Sequence, residues 1–225
     1  MSDKFECRFC SKQFTRESTL ISHVCTKKKR YEDRETAGAR LGLYAYNIFL
    51  KSSANRRPET PESFINCKFY IDFVKFGRTL CDIDPLDTEA YIKWLVSNNI
   101  QLKQWSKLAT YQSFVISFLE REPVERSLER SVIRMGAWAD REGLSIVDYF
   151  DEVTTYEATQ DISNGRITPW VLYVSANSGK LLERMDEQQL TIIGSIINPG
   201  EWQLIFSKRP KDLAFAKTVL GESGL

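Results

Sequence analysis

The sequence predicts a mainly α-helical protein, and three observations carry that reading. Apolar residues recur at three- and four-residue steps through most of the chain beyond residue 40, the period of an amphipathic helix. Two-residue alternation, the mark of a half-buried strand, is scarce; past the N-terminus only 170–174 hints at it. Prolines and Asp, Ser or Thr caps punctuate the pattern into about eight to ten short helices. At 225 residues, with 42% apolar and 12% aromatic side chains, there is ample material for a buried core. No run is long enough to span a bilayer and the N-terminus is polar, so neither a signal peptide nor a transmembrane helix is expected.

The first element is an exception. Residues 5–25, FECRFCSKQFTRESTLISHVC, are too few to bury a core of their own. They hold Cys7 and Cys10 in a C-x-x-C pair, the only histidine of the chain at His23, and Cys25. Thiolates and an imidazole at these spacings suit a tetrahedral zinc ion. A catalytic zinc needs one open coordination position; four protein ligands close the site. A disulfide is the other common use of C-x-x-C, and ordinary reduced thiols are the plainest reading. The added His and third Cys favour a structural metal over both.

Twelve residues separate Cys10 from His23. With Phe5, Phe14 and Leu20 at the matching positions, the stretch resembles the C2H2 zinc-finger family. The resemblance implies a ββα unit, with Cys7 and Cys10 on a hairpin and His23 on the helix. It departs from the family at the last ligand. A second His is expected three to five residues after the first, whereas Cys25 follows His23 by two. On a continuous helix those side chains point roughly 200° apart, so the helix has to end or unwind near His23. The base-reading helix positions of the family fall on Arg16, Thr19 and Ser22. Arg16 suits a bidentate contact to guanine; Thr19 and Ser22 are promiscuous hydrogen bonders. One finger reads only about three base pairs, and a lone finger serves as well for protein contact.

Four positive charges follow, Lys27, Lys28, Lys29 and Arg30. They suit phosphate contact beside the finger, or else form a solvated linker. Residues 1–58 carry 13 Lys and Arg against 6 Asp and Glu; residues 59–225 carry 18 against 24. The net charge of +1 therefore hides a basic leader of +7 and an acidic body of −6. Residues 1–30 are expected to form the finger with its basic tail, 31–58 a helix and linker, and 59–225 an all-helical domain.

In 31–51 the stripe Leu41, Tyr44, Ala45, Ile48 and Phe49 predicts a helix. SSANRRPETP (52–61) reads as a hinge. Pro61 opens a helix through Arg78 whose aromatics belong to a core rather than a base-stacking platform. Residues 87–98, 102–121 and 123–139 read as helices, the second with the strongest stripe. Ser145 caps a helix over 146–155. Asn164-Gly165-Arg166 is a turn. Thr168 and Pro169 start a helix to Ser175, Asp186 caps one to Ile197, and Pro199 and Pro210 start the last two. Cys67 and Cys81 are expected to be buried thiols in a reducing compartment.

No catalytic constellation is expected. A metal-bound His23 leaves no other His for acid–base work, and no Walker loop or G-x-S-x-G is present. Asp82, Asp84 and Asp87 lack a calcium-loop register and read as helix caps. Glu120 with Glu122, and Asp151 with Glu152, read as solvated faces. The stretches ITPWVLYVSANSGKLLERM and NPGEWQLIF, behind a finger and a basic run, look like uncharacterised finger-bearing proteins of large contractile-tailed bacteriophages. That resemblance implies the cytoplasm of an infected bacterium, or the virion, as the setting. Two non-enzymatic functions compete. In one, zinc finger and basic run hold DNA or RNA while the body binds a protein partner. In the other, the finger is a docking arm of a virion or assembly protein. Neither involves a membrane or a small-molecule substrate.

Overall fold

The computed structural model describes residues 4–54 and 56–225. Among them are a single two-stranded sheet at the N-terminus and fifteen α-helices, so the mainly α fold class holds. The chain falls into two compact units, 1–107 and 108–225. This contact-based division differs from the composition-based segments 1–30, 31–58 and 59–225, and each unit has its own core.

The first unit begins with strands β1 (Phe5–Glu6) and β2 (Gln13–Phe14), then α1 (Glu17–Ser22) and α2 (Thr26–Glu32). Helices α3 (Ala37–Ala54), α4 (Pro61–Phe64), α5 (Tyr70–Ile83) and α6 (Thr88–Ser97) complete it. Its centre is the crossing of α3 and α5. A Cβ on Gly77 would lie 2.1 Å from the Gly38 carbonyl oxygen and 2.5 Å from the Gly42 nitrogen. A Cβ on Gly42 would lie 2.6 Å from the Phe73 oxygen. Three glycines thus bring two backbones into direct contact. The buried stripe of α3 accordingly runs through Gly38, Ala39, Gly42, Ala45, Tyr46 and Leu50. Tyr44, expected on it, is exposed.

The helix expected over 61–78 breaks after α4. On one continuous helix Phe64 and Phe73 would face roughly opposite sides. The turn through Cys67 lets both enter one core, where Tyr46 meets Phe64 at 5.5 Å and Phe73 at 5.0 Å between ring centroids. Trp105 closes that core edge-on to Phe73 and Phe76, and its indole N–H donates to the Ile100 carbonyl at 2.9 Å. Asn55, within the 52–61 stretch read as a hinge, lies outside the described residues, and the end of that stretch is tied down. The Asn47 side chain accepts from the Glu59 N–H at 2.8 Å and donates to the Glu59 carbonyl at 3.2 Å. Thr60 and Ser63 then form a capping box on α4. Cys67 is half-buried and Cys81 exposed, so the buried-thiol expectation fails for Cys81.

The second unit contains α7 (Leu108–Arg121), α8 (Val124–Glu142), α9 (Tyr149–Glu152), α10 (Thr155–Ser163), α11 (Pro169–Val174), α12 (Ser178–Arg184), α13 (Glu187–Gly194), α14 (Pro199–Lys208) and α15 (Pro210–Glu222). Residues 170–174 are helical, not extended. The helix expected over 146–155 ends at buried Val153, and Thr154 caps α10 instead. Glu122, read as solvated, is buried and paired with Arg130. Arg130 also donates to the Gly165 carbonyl at 3.0 Å, tying α8 to the 164–166 turn. One turn further along α8, Arg134 holds Asp161 at 2.7 and 2.8 Å and reaches Glu157, which Arg141 also grips at 2.7 Å. Arg209 lies 5.0 Å over the Trp170 ring, which meets Trp202 edge-on at 5.9 Å and Phe206 at a tilt at 4.9 Å between centroids.

Two consequences can be measured. Gly77→Ala forces backbone apart and is expected to lower unfolding free energy by about 3 kcal/mol. Gly136→Ala on α8, with nothing within 4 Å of the added carbon, is expected to gain about 0.5–1 kcal/mol; urea denaturation checks both. Arg141, then Arg134, hold the Glu157 carboxyl below its ordinary range. A lowered folded-state pKa gives stability that is full above the unfolded glutamate value and lost as pH falls through the folded one. Glu157→Gln should therefore flatten the acid limb of the melting-temperature profile while lowering its neutral plateau.

Candidate metal centre

β1 and β2 pair antiparallel with Phe5 opposite Phe14, leaving residues 7–12 as the turn. The Cys7 N–H donates to the Lys12 carbonyl at 2.9 Å and the Ser11 N–H to the Cys7 carbonyl at 2.8 Å. Ser11 is left-handed at φ 57°. This tight knuckle turns both thiols to the same side, and Cys7 is buried.

Arg16 is extended ahead of α1, which ends at Ser22. His23 then takes φ −68°, ψ 121°, with its N–H still donating to the Leu20 carbonyl. Phe14 packs on the imidazole at 4.8 Å between centroids and fixes the ring. Cys25 is extended at φ −116°, ψ 160° and caps α2, its sulfur accepting the Lys28 N–H at 3.4 Å. The expected end of the helix near His23 is therefore present, and it turns Cys25 back toward the other three.

The ligand atoms of Cys7, Cys10, His23 and Cys25 all lie within 4.8 Å of one another. The imidazole Nε2 is 3.3 Å from the Cys10 sulfur. A tetrahedral ion with bonds of about 2.3 Å to sulfur and 2.0–2.1 Å to nitrogen separates its ligands by roughly 3.5–3.8 Å. The set thus fits one four-coordinate metal ion after small adjustments. The Phe9 N–H, then that of Cys10, pull the Cys7 thiol pKa down against burial. The Lys12 N–H acts likewise on Cys10, but burial and the neighbouring thiols outweigh it and the net shift is upward. Backbone donors aimed at sulfur favour the thiolate form that a metal requires.

The residues read for nucleic-acid contact divide. Arg16, Thr19 and Ser22 are exposed, and the Ser22 hydroxyl donates to the Thr19 carbonyl at 3.3 Å. The basic run is helix α2 rather than a loose tail. Lys27 and Lys29 are exposed. Lys28 is half-buried and donates to the His23 carbonyl at 3.3 Å. Arg30 donates to the Ile65 carbonyl at 3.0 Å and stacks on Tyr70 at 4.6 Å. Lys28 therefore closes the bend at the metal ligands, and Arg30 fastens α2 to the α4–α5 region.

Sequence reading missed a second fastening. Phe9, from the knuckle, meets Tyr31 at 5.2 Å between centroids. Arg8 lies over Phe9, and Arg34 lies 3.9 Å over Tyr31 while donating to its carbonyl at 2.7 Å. The three-residue step from Tyr31 to Arg34 was visible in the sequence; nothing there joined Phe9 to it.

No family model matches the chain, and neither does any curated protein or solved structure.

Cobalt(II) titration should show one equivalent with the visible absorption of a tetrahedral thiolate site. Cys25→Ala is expected to weaken binding on the order of 100-fold, a quarter of the roughly 10–16 kcal/mol such sites supply. Chelation should abolish amide protection from the hairpin through Glu32 but not within α5.

Proposed function

We propose that this chain is a non-enzymatic, nucleic-acid-associated accessory protein whose N-terminal module is shaped by one structural zinc ion. One observation carries the reading. Arg16, Lys27 and Lys29 are exposed on the metal-bearing module, and among the described residues none is in an ion pair. Thr19 and Ser22 are exposed on α1, and Arg16 is exposed at its extended N-cap. Such a surface suits phosphates, with at most a short base contact from Arg16. Four protein ligands at the metal leave no open position for chemistry, which supports a structural role. Zinc is the natural occupant of a three-thiolate, one-imidazole set.

Protein partners fall to the acidic helical segments, where nucleic acid is repelled. No helix among the described residues is long and apolar enough to cross a membrane. The phage resemblance supports, as part of this proposal, a setting in the cytoplasm of an infected bacterium or in the virion. A second reading has its own support. Ile21 and Val24 are 70% and 69% exposed, an apolar pair beside the metal ligands that suits a docking arm in a virion or assembly complex.

Salt dependence separates the two. Three phosphate contacts predict that log K for duplex DNA falls against log salt with a slope of roughly −3. Replacing Arg16, Lys27 and Lys29 together by Ser should flatten the slope and remove binding. Arg30→Ser should lower stability while leaving the slope in place. Retention that ignores salt and the triple variant but fails in Ile21→Ser/Val24→Ser overturns the nucleic-acid reading in favour of docking.

A further inference from the structure

A groove of about 570 Å³ opens between the second half of α3, residues 56–59 and the turn after α4. Its existence does not depend on the metal centre or on nucleic-acid binding. Tyr46, Phe49 and Phe69 give it an aromatic wall, and Arg56 and Lys68 bring two positive charges to its lining. Among the described residues neither cation is in an ion pair. Glu59 supplies one carboxylate, which accepts from the Ser63 hydroxyl. Positive charge therefore exceeds negative at the opening.

The groove is preformed. Asn47 clamps the Glu59 backbone by two hydrogen bonds, and Thr60 with Ser63 caps α4 beneath it. Cys67 also lines the groove, its sulfur accepting the Phe69 N–H at 3.3 Å. Burial, then the neighbouring Cys67 side chain, push the Tyr46 phenol pKa up to about 12, so it remains neutral.

Flat apolar walls, two cations and a hydrogen-bonded thiol define one ligand chemistry. We propose that this groove binds a small planar aromatic acid, its ring on the wall of Tyr46, Phe49 and Phe69, its acid group at Arg56 and Lys68, and its edge beside Cys67. Lys68 also lies 4.7 Å over the Phe69 ring, so a purely apolar ligand leaves Arg56 unanswered. A cationic ligand meets like charge.

Cys67 makes the site self-reporting, because Cys81 is exposed and serves as an internal control. The full-length metal-loaded protein is treated with 5,5′-dithiobis(2-nitrobenzoate), an aromatic dicarboxylate disulfide. The Cys67 thiol gives its proton to buffer, and the thiolate attacks one reagent sulfur. The reagent S–S bond breaks, a protein–reagent disulfide forms, and the other half leaves as the aromatic thiolate. A parallel sample is treated with uncharged N-ethylmaleimide, and both cysteines are followed by peptide mass spectrometry.

The quantity read is the Cys67-to-Cys81 rate ratio with the anionic reagent, divided by that with the uncharged one. It is expected to be about five or more, a surface-charge effect in each of two cations. Benzoate should slow Cys67 alone. In Arg56→Gln/Lys68→Gln, checked for native circular dichroism, the quotient should fall to about one. A wild-type quotient near one overturns the proposal, as does a high quotient that the double variant leaves unchanged.

Discussion

A single residue between two ligands governs the N-terminal architecture. His23 and Cys25 cannot reach one ion from the same helix, because a two-residue step turns the side chain by roughly 200°. The chain must leave the helix at Ser22, pass through extended His23, and begin again behind Cys25. Cys25 then has two roles, candidate metal ligand and N-cap of α2. The direction in which α2 departs is therefore set at the metal site. Everything that α2 carries, from Lys27 to Tyr31, inherits its place from that bend.

A different constraint operates behind it. Where α3 and α5 touch through Gly38, Gly42 and Gly77, the helices are too close to slide past any side chain. The aromatic cluster of Tyr46, Phe64, Phe73 and Trp105 then fills the space that opens away from the contact. Arg30 and Tyr70 join this rigid pair to α2. The bend at His23 and the glycine contact are thus connected by one cation–π stack and two hydrogen bonds, from Arg30 to the Ile65 carbonyl and from the Tyr70 hydroxyl to the Arg30 carbonyl, with Phe9 on Tyr31 as a second brace. Lys28 and Arg30 are structural cations here, and Lys27 and Lys29 the solvent-facing ones.

The metal ligands were legible because coordination chemistry restricts residue type and spacing together, and Cys7, Cys10, His23 and Cys25 satisfied both. The helical class was legible because the three- and four-residue period repeats many times over. The buried face of α3 was not, because its contact is made by glycines, which hydrophobic patterning counts as blanks; it therefore favoured Tyr44. The break after α4 was hidden because Phe64 and Phe73 both looked like helix core, and only the tertiary demand that they meet Tyr46 forces a turn between them. Glu122 was misread because its partner, Arg130, lies eight residues away with Pro123 between. The basic run read as a tail because charge pattern alone cannot distinguish solvated Lys27 from Arg30, whose partner carbonyl is 35 residues distant.

The placement of the exposed cations has a thermodynamic corollary. Arg16 precedes α1, whereas Lys27 and Lys29 lie on α2, and a metal held by the four clustered ligands would fix the bend between those helices. A polyanion that touches both sides of the bend binds the metal-bearing form more tightly than the released one, since only the former holds the three charges in register. Linkage is reciprocal, so the same polyanion must tighten the metal by the same factor. An apolar partner on Ile21 and Val24, both before Cys25, spans less of the bend and is coupled mainly to the end of α1. Metal affinity measured with and without a bound polyanion therefore reports on which surface of the module is in use, independently of how strongly either ligand binds.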